Sequence, residues 1–192
     1  MRKTLFLLLA FIMAALPLSM NAELKTWTFE WNKSHSDNTS QGFYNFGTTY
    51  VEKDVYTTEL NTLTWSIAST GTHKYAYTAK SGQTIGTNLE ASTHTSLWTE
   101  SLAGKVRAVR VQTRTNKNEN QADLSVTVNG VKYQCNGTDK AAMTATLADY
   151  EFKSASEAAA EGKIEISIDP TSEAKGTLYI KKIEIDYEVA AS

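Results

Sequence analysis

The sequence predicts an all-β protein whose antiparallel strands form a sandwich or a barrel. Its composition favours strands, with 26 threonines, nine tyrosines and four tryptophans against only two prolines. Segments that alternate apolar and polar residues recur at spacings of about 8–12 residues, with turn signals between them, as in antiparallel sandwiches and barrels. The alanine-rich stretch 155–162 is short and has no apolar stripe, so it predicts a loop rather than a helix.

Residues 1–22 are predicted to be a secretory signal peptide. A basic start is followed by a nearly unbroken apolar run from Leu5 to Leu18, and Ala22 suits the position before a cleavage site. A membrane-spanning helix needs roughly 20 apolar residues, so an N-terminal membrane anchor is the less favoured interpretation. Removal of this segment leaves residues 23–192 as one domain without a membrane span, secreted or held in the periplasm or cell envelope.

In the first half of the remaining chain, predicted strands are separated by polar stretches. Residues 24–31 alternate, with three aromatic residues on one face and mainly threonine and glutamate on the other, which predicts a half-buried strand. One or two short, irregular strands are predicted within 43–58. Clearer strands are expected at 63–67 and from Tyr75 onward, whereas 96–100 is a polar, irregular stretch.

The second half has a more regular pattern. The strongest signal is Asn129-Gly130 between two alternating runs, 124–128 and 131–135, because both residues of a type I′ hairpin turn need positive φ. The alternation slips at Lys181-Lys182, which predicts a β-bulge. Further strands are predicted at 105–115, 150–152, 164–168 and 178–187.

Charge and cysteine content exclude several classes of protein. The 19 basic and 21 acidic residues give a net charge of −2 and a pI near 5.9, which is not the electrostatic footprint of a nucleic-acid-binding protein. The single cysteine, Cys135, excludes a disulfide framework and a cysteine-rich zinc site. Because Cys135 ends the inward face of the predicted hairpin, we expect it to be buried.

Four segments occur in an order that points to a family. They are Trp27-Thr-Phe-Glu-Trp31, then Gly82–Gly86, then Gly104–Val111 with Ser125–Gly130, and finally Gly176–Ile185. Together they resemble a family of secreted domains from gut Bacteroidetes of the Bacteroides and Prevotella type, over most of the chain after residue 22. The resemblance implies an all-β, antiparallel two-sheet β-sandwich that is jelly-roll-like and similar in architecture to carbohydrate-binding modules. It implies function only by analogy, because no binding or catalytic motif can be carried over.

Exposed aromatic rings are the first candidates for a ligand site, because sugar rings stack their C–H faces on flat aromatic side chains. Trp31 ends its strand beside a polar loop, and Tyr44 and Trp98 lie in polar, irregular stretches. We therefore take these three as candidates for exposure. Packing in the core or at its rim is the competing interpretation for each of them.

A second set of candidates lies on the outward face of the predicted strand 105–115. Arg110, Gln112 and Arg114 alternate there with inward-facing residues. Their side chains are suited to bind sugar hydroxyls or acidic sugars. The competing interpretation is a solvated face that binds no ligand.

The sequence contains no motif that is typical of a catalytic or a metal-binding site. It has no nucleophile-elbow, phosphate-loop or His-Glu-x-x-His motif, and His35, His73 and His94 lack metal-ligand spacing. The only cofactor left open is a structural calcium ion near the termini, with Glu30 and Asp186 as candidate ligands. A hydrolase would need two converging carboxylates. Their candidate sources are Glu30, Glu52, Glu59, Glu90 and Glu100.

The sequence therefore favours a secreted, non-catalytic β-sandwich that binds a polysaccharide or other glycan. The alternative is a structural module of the cell envelope that binds a protein partner. A stand-alone polysaccharide hydrolase or lyase is less favoured, and nucleic acid is not expected as a partner.

Overall fold

The computed structural model describes residues 22–32, 42–44, 55–70, 75–86, 94–116, 122–156, 159–171 and 177–190. These ranges consist of strands, turns and irregular segments, and they contain no helix of the length and apolar character that a bilayer crossing requires. The predicted signal peptide lies outside the described residues except for Ala22. Its assignment, and that of residues 23–192 as one domain, stay predictions.

Thirteen strands are found in the described ranges. They are β1 (Ala22–Glu30), β2 (Tyr56–Leu60), β3 (Leu63–Ser69), β4 (Tyr75–Thr78), β5 (Gly82–Ile85), β6 (Thr95–Thr99), β7 (Lys105–Thr115), β8 (Ala122–Val128), β9 (Val131–Gln134), β10 (Ala141–Ala142), β11 (Ala148–Ser154), β12 (Ile164–Pro170) and β13 (Leu178–Ala190).

The strands form one antiparallel hydrogen-bonded sheet that folds over on itself into two layers. The order along the sheet is β2-β3-β6-β12-β8-β9-β11-β7-β13-β5-β4, with β1 also paired to β13 and β10 to β8. Side chains of the two halves meet in the interior. Trp27 on β1 stacks on Trp65 on β3, with 5.7 Å between ring centroids, and Tyr56 on β2 meets Tyr75 on β4 at 5.6 Å. The prediction of an all-β, antiparallel two-sheet β-sandwich is confirmed.

Burial alternates along the long strands, as the sequence predicts. On β7, Val109 and Val111 are fully buried, whereas Arg110 and Gln112 point outward and are half-buried. β8 and β12 bury every second residue in the same way. Each buried aliphatic side chain contributes about 1.5–3 kcal/mol, so the alternation sets the strand register and decides which side chains reach the outer surfaces.

The hairpins β8–β9 and β2–β3 close through two-residue turns in which both residues have positive φ. Asn129-Gly130 joins β8 to β9 with φ of 48° and 78°, which confirms the predicted hairpin. Asn61-Thr62 joins β2 to β3 with φ of 42° and 72°. The second turn was not predictable from residue type, because a β-branched threonine rarely adopts a left-handed conformation.

A bulge bends β13 at Lys181, where the sequence predicts it. The pairing of β13 with β7 shifts register between Ile180 and Lys182. The Lys181 ammonium donates hydrogen bonds to the carbonyl of Trp31 and, at 2.7 Å, to that of Ala79. These bonds tie the end of β1 to the turn between β4 and β5.

The single cysteine lies in the core. Cys135 is buried and free, as its position in the hairpin predicts. Burial raises the pKa of its thiol, so the nucleophilic thiolate is scarce at neutral pH.

Candidate functional site

The two outer surfaces of the sandwich differ in chemistry. The outer face of β2, β3, β6, β12 and β8, here called the hydroxyl face, carries Thr57, Thr64, Ser66, Ser96, Ser125, Thr127 and Ser167 together with Trp98 and Glu165. The outer face of β11, β7, β13 and β1, here called the charged face, carries Glu151, Lys153, Arg110, Lys182, Glu184 and Asp186. Of the site residues predicted from the sequence, Trp98 lies on the hydroxyl face, Arg110, Gln112 and Arg114 lie on the charged face, Trp31 lies in the interior, and Tyr44 lies beside β4.

Arg110 is held in an ion-pair network on the charged face. Its two terminal nitrogens donate to the two carboxylate oxygens of Asp186 at 2.6 and 2.9 Å. Its Nε donates to Glu184 at 3.2 Å, and Glu151 lies 3.4 Å from Nη1. Arg110 in turn holds the pKa of Asp186 below its usual value through these hydrogen bonds. The guanidinium donors are therefore already used within the protein.

The other two predicted residues of β7 share this face. The guanidinium of Arg114 lies over the ring of Tyr179, 4.4 Å from its centroid. Gln112 is half-buried and stands between Asp149 on β11 and Lys182 on β13. The structure thus brings Arg110, Gln112 and Arg114 together on one face, where Arg110 is paired with carboxylates and Arg114 packs on the Tyr179 ring.

Trp31 lies in the interior and is 0% exposed. It continues the inward alternation of β1, and its backbone amide donates to the Lys181 carbonyl at 3.1 Å. Its ring packs edge-on against Phe29, with 4.8 Å between centroids. The expectation that Trp31 is an exposed stacking platform is therefore wrong, because the pairing of β1 with β13 extends one residue beyond the strand and keeps the indole inward.

Tyr44 is exposed, at 47% of its surface. Its ring lies 6.4 Å from that of Tyr77 on β4. The buried amide side chain of Gln83 holds this segment: it accepts a hydrogen bond from the Phe43 amide at 2.8 Å and donates one to the Phe43 carbonyl at 3.0 Å. The ring of Tyr44 packs near β4, whereas Trp98 lies on β6, which is paired with β3 and β12.

Trp98 lies on β6 within the sheet, and the prediction of an irregular stretch at 96–100 is wrong. The regular alternation was hidden because two inward residues of β6, Thr95 and Thr99, are polar and nonetheless buried. The Thr95 hydroxyl is 2.8 Å from that of Ser69, which is 2.9 Å from that of Tyr75. This buried chain of hydroxyls satisfies polar groups that a sequence pattern assigns to the outside.

A depression of about 350 Å³ lies beside Trp98 on the hydroxyl face. Its lining consists of Thr64, Ser66, Trp98, Thr99, Glu100 and Ser101. Ser66 on β3 stands directly opposite Trp98 in the pairing with β6. The Ser101 hydroxyl accepts a hydrogen bond from the Thr64 amide at 3.1 Å and lies 2.9 Å from the Thr99 hydroxyl. An aromatic wall, several hydroxyls and one carboxylate thus converge in one place.

The indole of Trp98 is supported from the β12 side by a lysine. The Lys163 ammonium lies 4.9 Å from the centroid of the indole ring and donates to Glu165 at 2.8 Å. Burial acts to raise the pKa of Glu165, but hydrogen bonds from Lys163 and Ser96 outweigh it and the net pKa is lowered. The carboxylate therefore stays ionised and holds the lysine against the ring.

Of the four tryptophans, all of which lie within the described residues, Trp98 alone is partly exposed. Trp27, Trp31 and Trp65 are at most 6% exposed. Sequence reasoning did not identify Thr64, Ser66, Ser101 and Lys163 as neighbours of Trp98. These residues come together through the pairing of β3, β6 and β12. The sequence does not show the register between strands that are distant along the chain.

The candidate calcium ligands do not meet in the described part of the chain. Asp186 accepts hydrogen bonds from Arg110 and from the Thr26 hydroxyl, the latter at 2.7 Å, and Glu30 lies 3.8 Å from the Lys181 ammonium. No group of three or more histidine, cysteine, aspartate or glutamate side chains forms a metal site among the described residues. His35 and His73 lie outside them, and a structural calcium ion stays a prediction.

Comparisons with known proteins add the following. No family model matches the sequence, and no curated protein matches it. The chain is similar to the solved structure of the xylan-binding module CBM15, at 14% identity and a TM-score of 0.42, over 70% of this chain and 96% of that one. It is also similar to a CBM29-2 mutant complexed with mannohexaose, at 9% identity and a TM-score of 0.39, over 85% and 92%. A further similarity is to CBM29_1 from Piromyces equi, at 16% identity and a TM-score of 0.39, over 73% and 90%. Because every one of these TM-scores is below 0.5, the similarities carry no functional argument.

Proposed function

We propose that the protein binds carbohydrate, without catalysis, in the depression beside Trp98. The single observation that carries the proposal is the pairing of a partly exposed indole with hydroxyl side chains in one concavity on an otherwise Ser/Thr-rich sheet face. The volume of about 350 Å³ falls in the range of roughly 300–1,000 Å³ that is typical of small-ligand sites.

The lining suits the two kinds of surface that a sugar presents. The C–H face of a pyranose ring is apolar and stacks on a flat indole, whereas its hydroxyls need hydrogen-bond partners. Ser66, Ser101 and Thr64 offer oxygens that both donate and accept, and Glu100 offers an acceptor. The site therefore fits a ligand that is apolar on its faces and polar at its rim.

The indole is fixed before any ligand arrives. Lys163 lies on the β12 side of the ring and is itself held by Glu165, while Ser66 flanks the ring from β3. Side chains that are already ordered lose little conformational entropy on binding. Export through residues 1–22 is part of the proposal, because it would place the site where extracellular polysaccharides occur.

Replacement of the indole tests the proposal. We expect Trp98→Ala to weaken binding to soluble polysaccharides by about thirtyfold or more, equal to about 2 kcal/mol, because a central aromatic contact is a typical binding hot spot. The measurement is retardation in affinity gels that contain a panel of plant, host and bacterial glycans, with thermal unfolding to confirm that the variant is folded.

Gln112→Ala is the matched control on the charged face. We expect it to bind every polymer as the wild type does. If Gln112→Ala loses binding and Trp98→Ala retains it, the binding site lies on the charged face instead. If the wild type is retarded by no glycan in the panel, the carbohydrate proposal fails and the envelope protein-binding module becomes the better hypothesis.

A further inference from the structure

The charges around the depression are strongly one-sided. Glu100 lines it and is exposed. Glu59, also exposed, stands directly opposite Thr64 in the pairing of β2 with β3. Neither carboxylate has an ion-pair or hydrogen-bond partner among the described residues. Both therefore present an uncompensated negative charge to whatever enters the site.

The nearby cation does not offset these charges. Lys163 is engaged twice, by the carboxylate of Glu165 at 2.8 Å and by the indole of Trp98. A ligand carboxylate or sulfate would have to share this ammonium with Glu165, whose negative charge already offsets it. An anionic ligand thus meets two free carboxylates and no free cation in the described part of the face.

From this arrangement we propose that the site selects uncharged glycans and rejects glycans that carry uronate or sulfate groups, with Glu59 and Glu100 as the specificity-determining residues. The inference rests on the carbohydrate-binding function proposed above. Such selectivity arises because the site repels anionic glycans and not because it makes additional contacts with uncharged glycans.

The distances between the strands determine how strongly the two carboxylates should repel an anionic ligand and how this repulsion should depend on salt. Neighbouring strands are about 4.8 Å apart, so Thr64 lies about 5 Å from the strand position of Glu59, with which it is paired. Thr64 also lines the same depression as Glu100. A charge bound over Thr64 is then closer to both carboxylates than the Debye length, which is about 10 Å at 0.1 M salt. The repulsion should be strong at low ionic strength and largely screened at 1 M.

Matched pairs of polymers test the proposal. The probes are mixed-linkage β-glucan, glucomannan and galactomannan, each together with a sample whose primary alcohols have been oxidised to carboxylates. We expect the wild type at low ionic strength to bind the neutral member at least about tenfold more tightly than its oxidised partner. The Glu59→Gln/Glu100→Gln double variant should reduce this ratio to about threefold or less.

Glu23→Gln is the control, because it removes one negative charge, against two in the double variant, from an exposed residue of β1 that pairs with Lys25. It should leave the ratio unchanged. Equal or tighter binding of the oxidised polymers by the wild type, or a double variant that keeps the full ratio, would overturn the specificity inference while the proposed function stands. If the wild type binds neither form of these polymers and is retarded by no glycan of the affinity-gel panel, the proposed function fails and the inference falls with it.

Discussion

The turn at Gly130 allows the hairpin geometry to be tested by a single substitution. Gly130 has a φ of 78°, and a Cβ atom added there would meet no other atom within 4 Å. The cost of Gly130→Val therefore comes from the backbone conformation and not from a clash. A left-handed conformation costs an L-residue roughly 1–2 kcal/mol, and valine lowers the entropy of the unfolded chain relative to glycine, which returns about 0.4–1 kcal/mol.

We therefore expect Gly130→Val to lower the free energy of unfolding by about 1 kcal/mol. In a chain of this size, that corresponds to a fall in Tm of about 2–4 °C. The assay is guanidinium unfolding followed by circular dichroism, with the thermal midpoint as a second measurement. A change in the denaturation midpoint without a change in slope would show that the variant alters stability and not the compactness of the unfolded state.

The turn at Thr62 supplies the reciprocal test. The φ of Thr62 is 72°, close to that of Gly130, but threonine is β-branched and is strained in this conformation. Because Thr62→Gly relieves this backbone strain, it should raise the free energy of unfolding by about 0.5–1 kcal/mol. Unchanged stability in Gly130→Val, or destabilisation by Thr62→Gly, would refute the assignment of these turns as left-handed two-residue connections.

Two further predictions concern polar groups that join the strands. Tyr133 is fully buried, and its hydroxyl donates to the Val106 carbonyl at 2.5 Å and accepts from the Ala160 amide at 3.2 Å. Tyr133→Phe should lower the free energy of unfolding, measured by chemical denaturation, by about 1–3 kcal/mol. A decrease below about 0.3 kcal/mol would refute the role of this hydroxyl. The pKa of Asp186 is lowered by its hydrogen bonds to Arg110, so its contribution is present at neutral pH and is lost as the pH falls below about 4. Asp186→Asn should be about 1–2 kcal/mol less stable than the wild type at pH 7, and this gap should narrow as the pH falls below about 4, whereas a gap that does not change with pH would contradict the ion pair.

Much of the fold follows from local sequence chemistry. The alternating valines of β7, the Asn129-Gly130 turn and the slip at Lys181 each have a physical cause within a few neighbouring residues, and each was predictable. β6 was not, because two of its inward residues are threonines whose hydroxyls are satisfied within the protein, Thr99 by Ser101 and Thr95 by Ser69 on β3. Thr95 depends on Ser69, which lies 26 positions away, and no local pattern reports such a partner.

The candidate site is less visible in the sequence for the same reason. Trp98 stands out by residue type, but its neighbours Ser66 and Glu165 come from strands that are 32 and 67 positions away. Arg110 appeared to be free for a ligand until the structure placed Asp186, which lies 76 positions further along the chain, against its guanidinium. Long-range register decides both outcomes, because it gathers a site around Trp98 and engages Arg110 in four hydrogen bonds to carboxylates.

The most direct test of the carbohydrate site uses the four tryptophan side chains as reporters. Each gives one indole N–H resonance in a ¹H–¹⁵N NMR spectrum, and Trp98→Phe identifies its own. Titration with the polysaccharide fragment that the affinity gels select should shift the Trp98 resonance, because its ring alone among the four is partly exposed. The resonances of the three buried indoles should hardly move. Binding that leaves the Trp98 resonance in place would contradict the account.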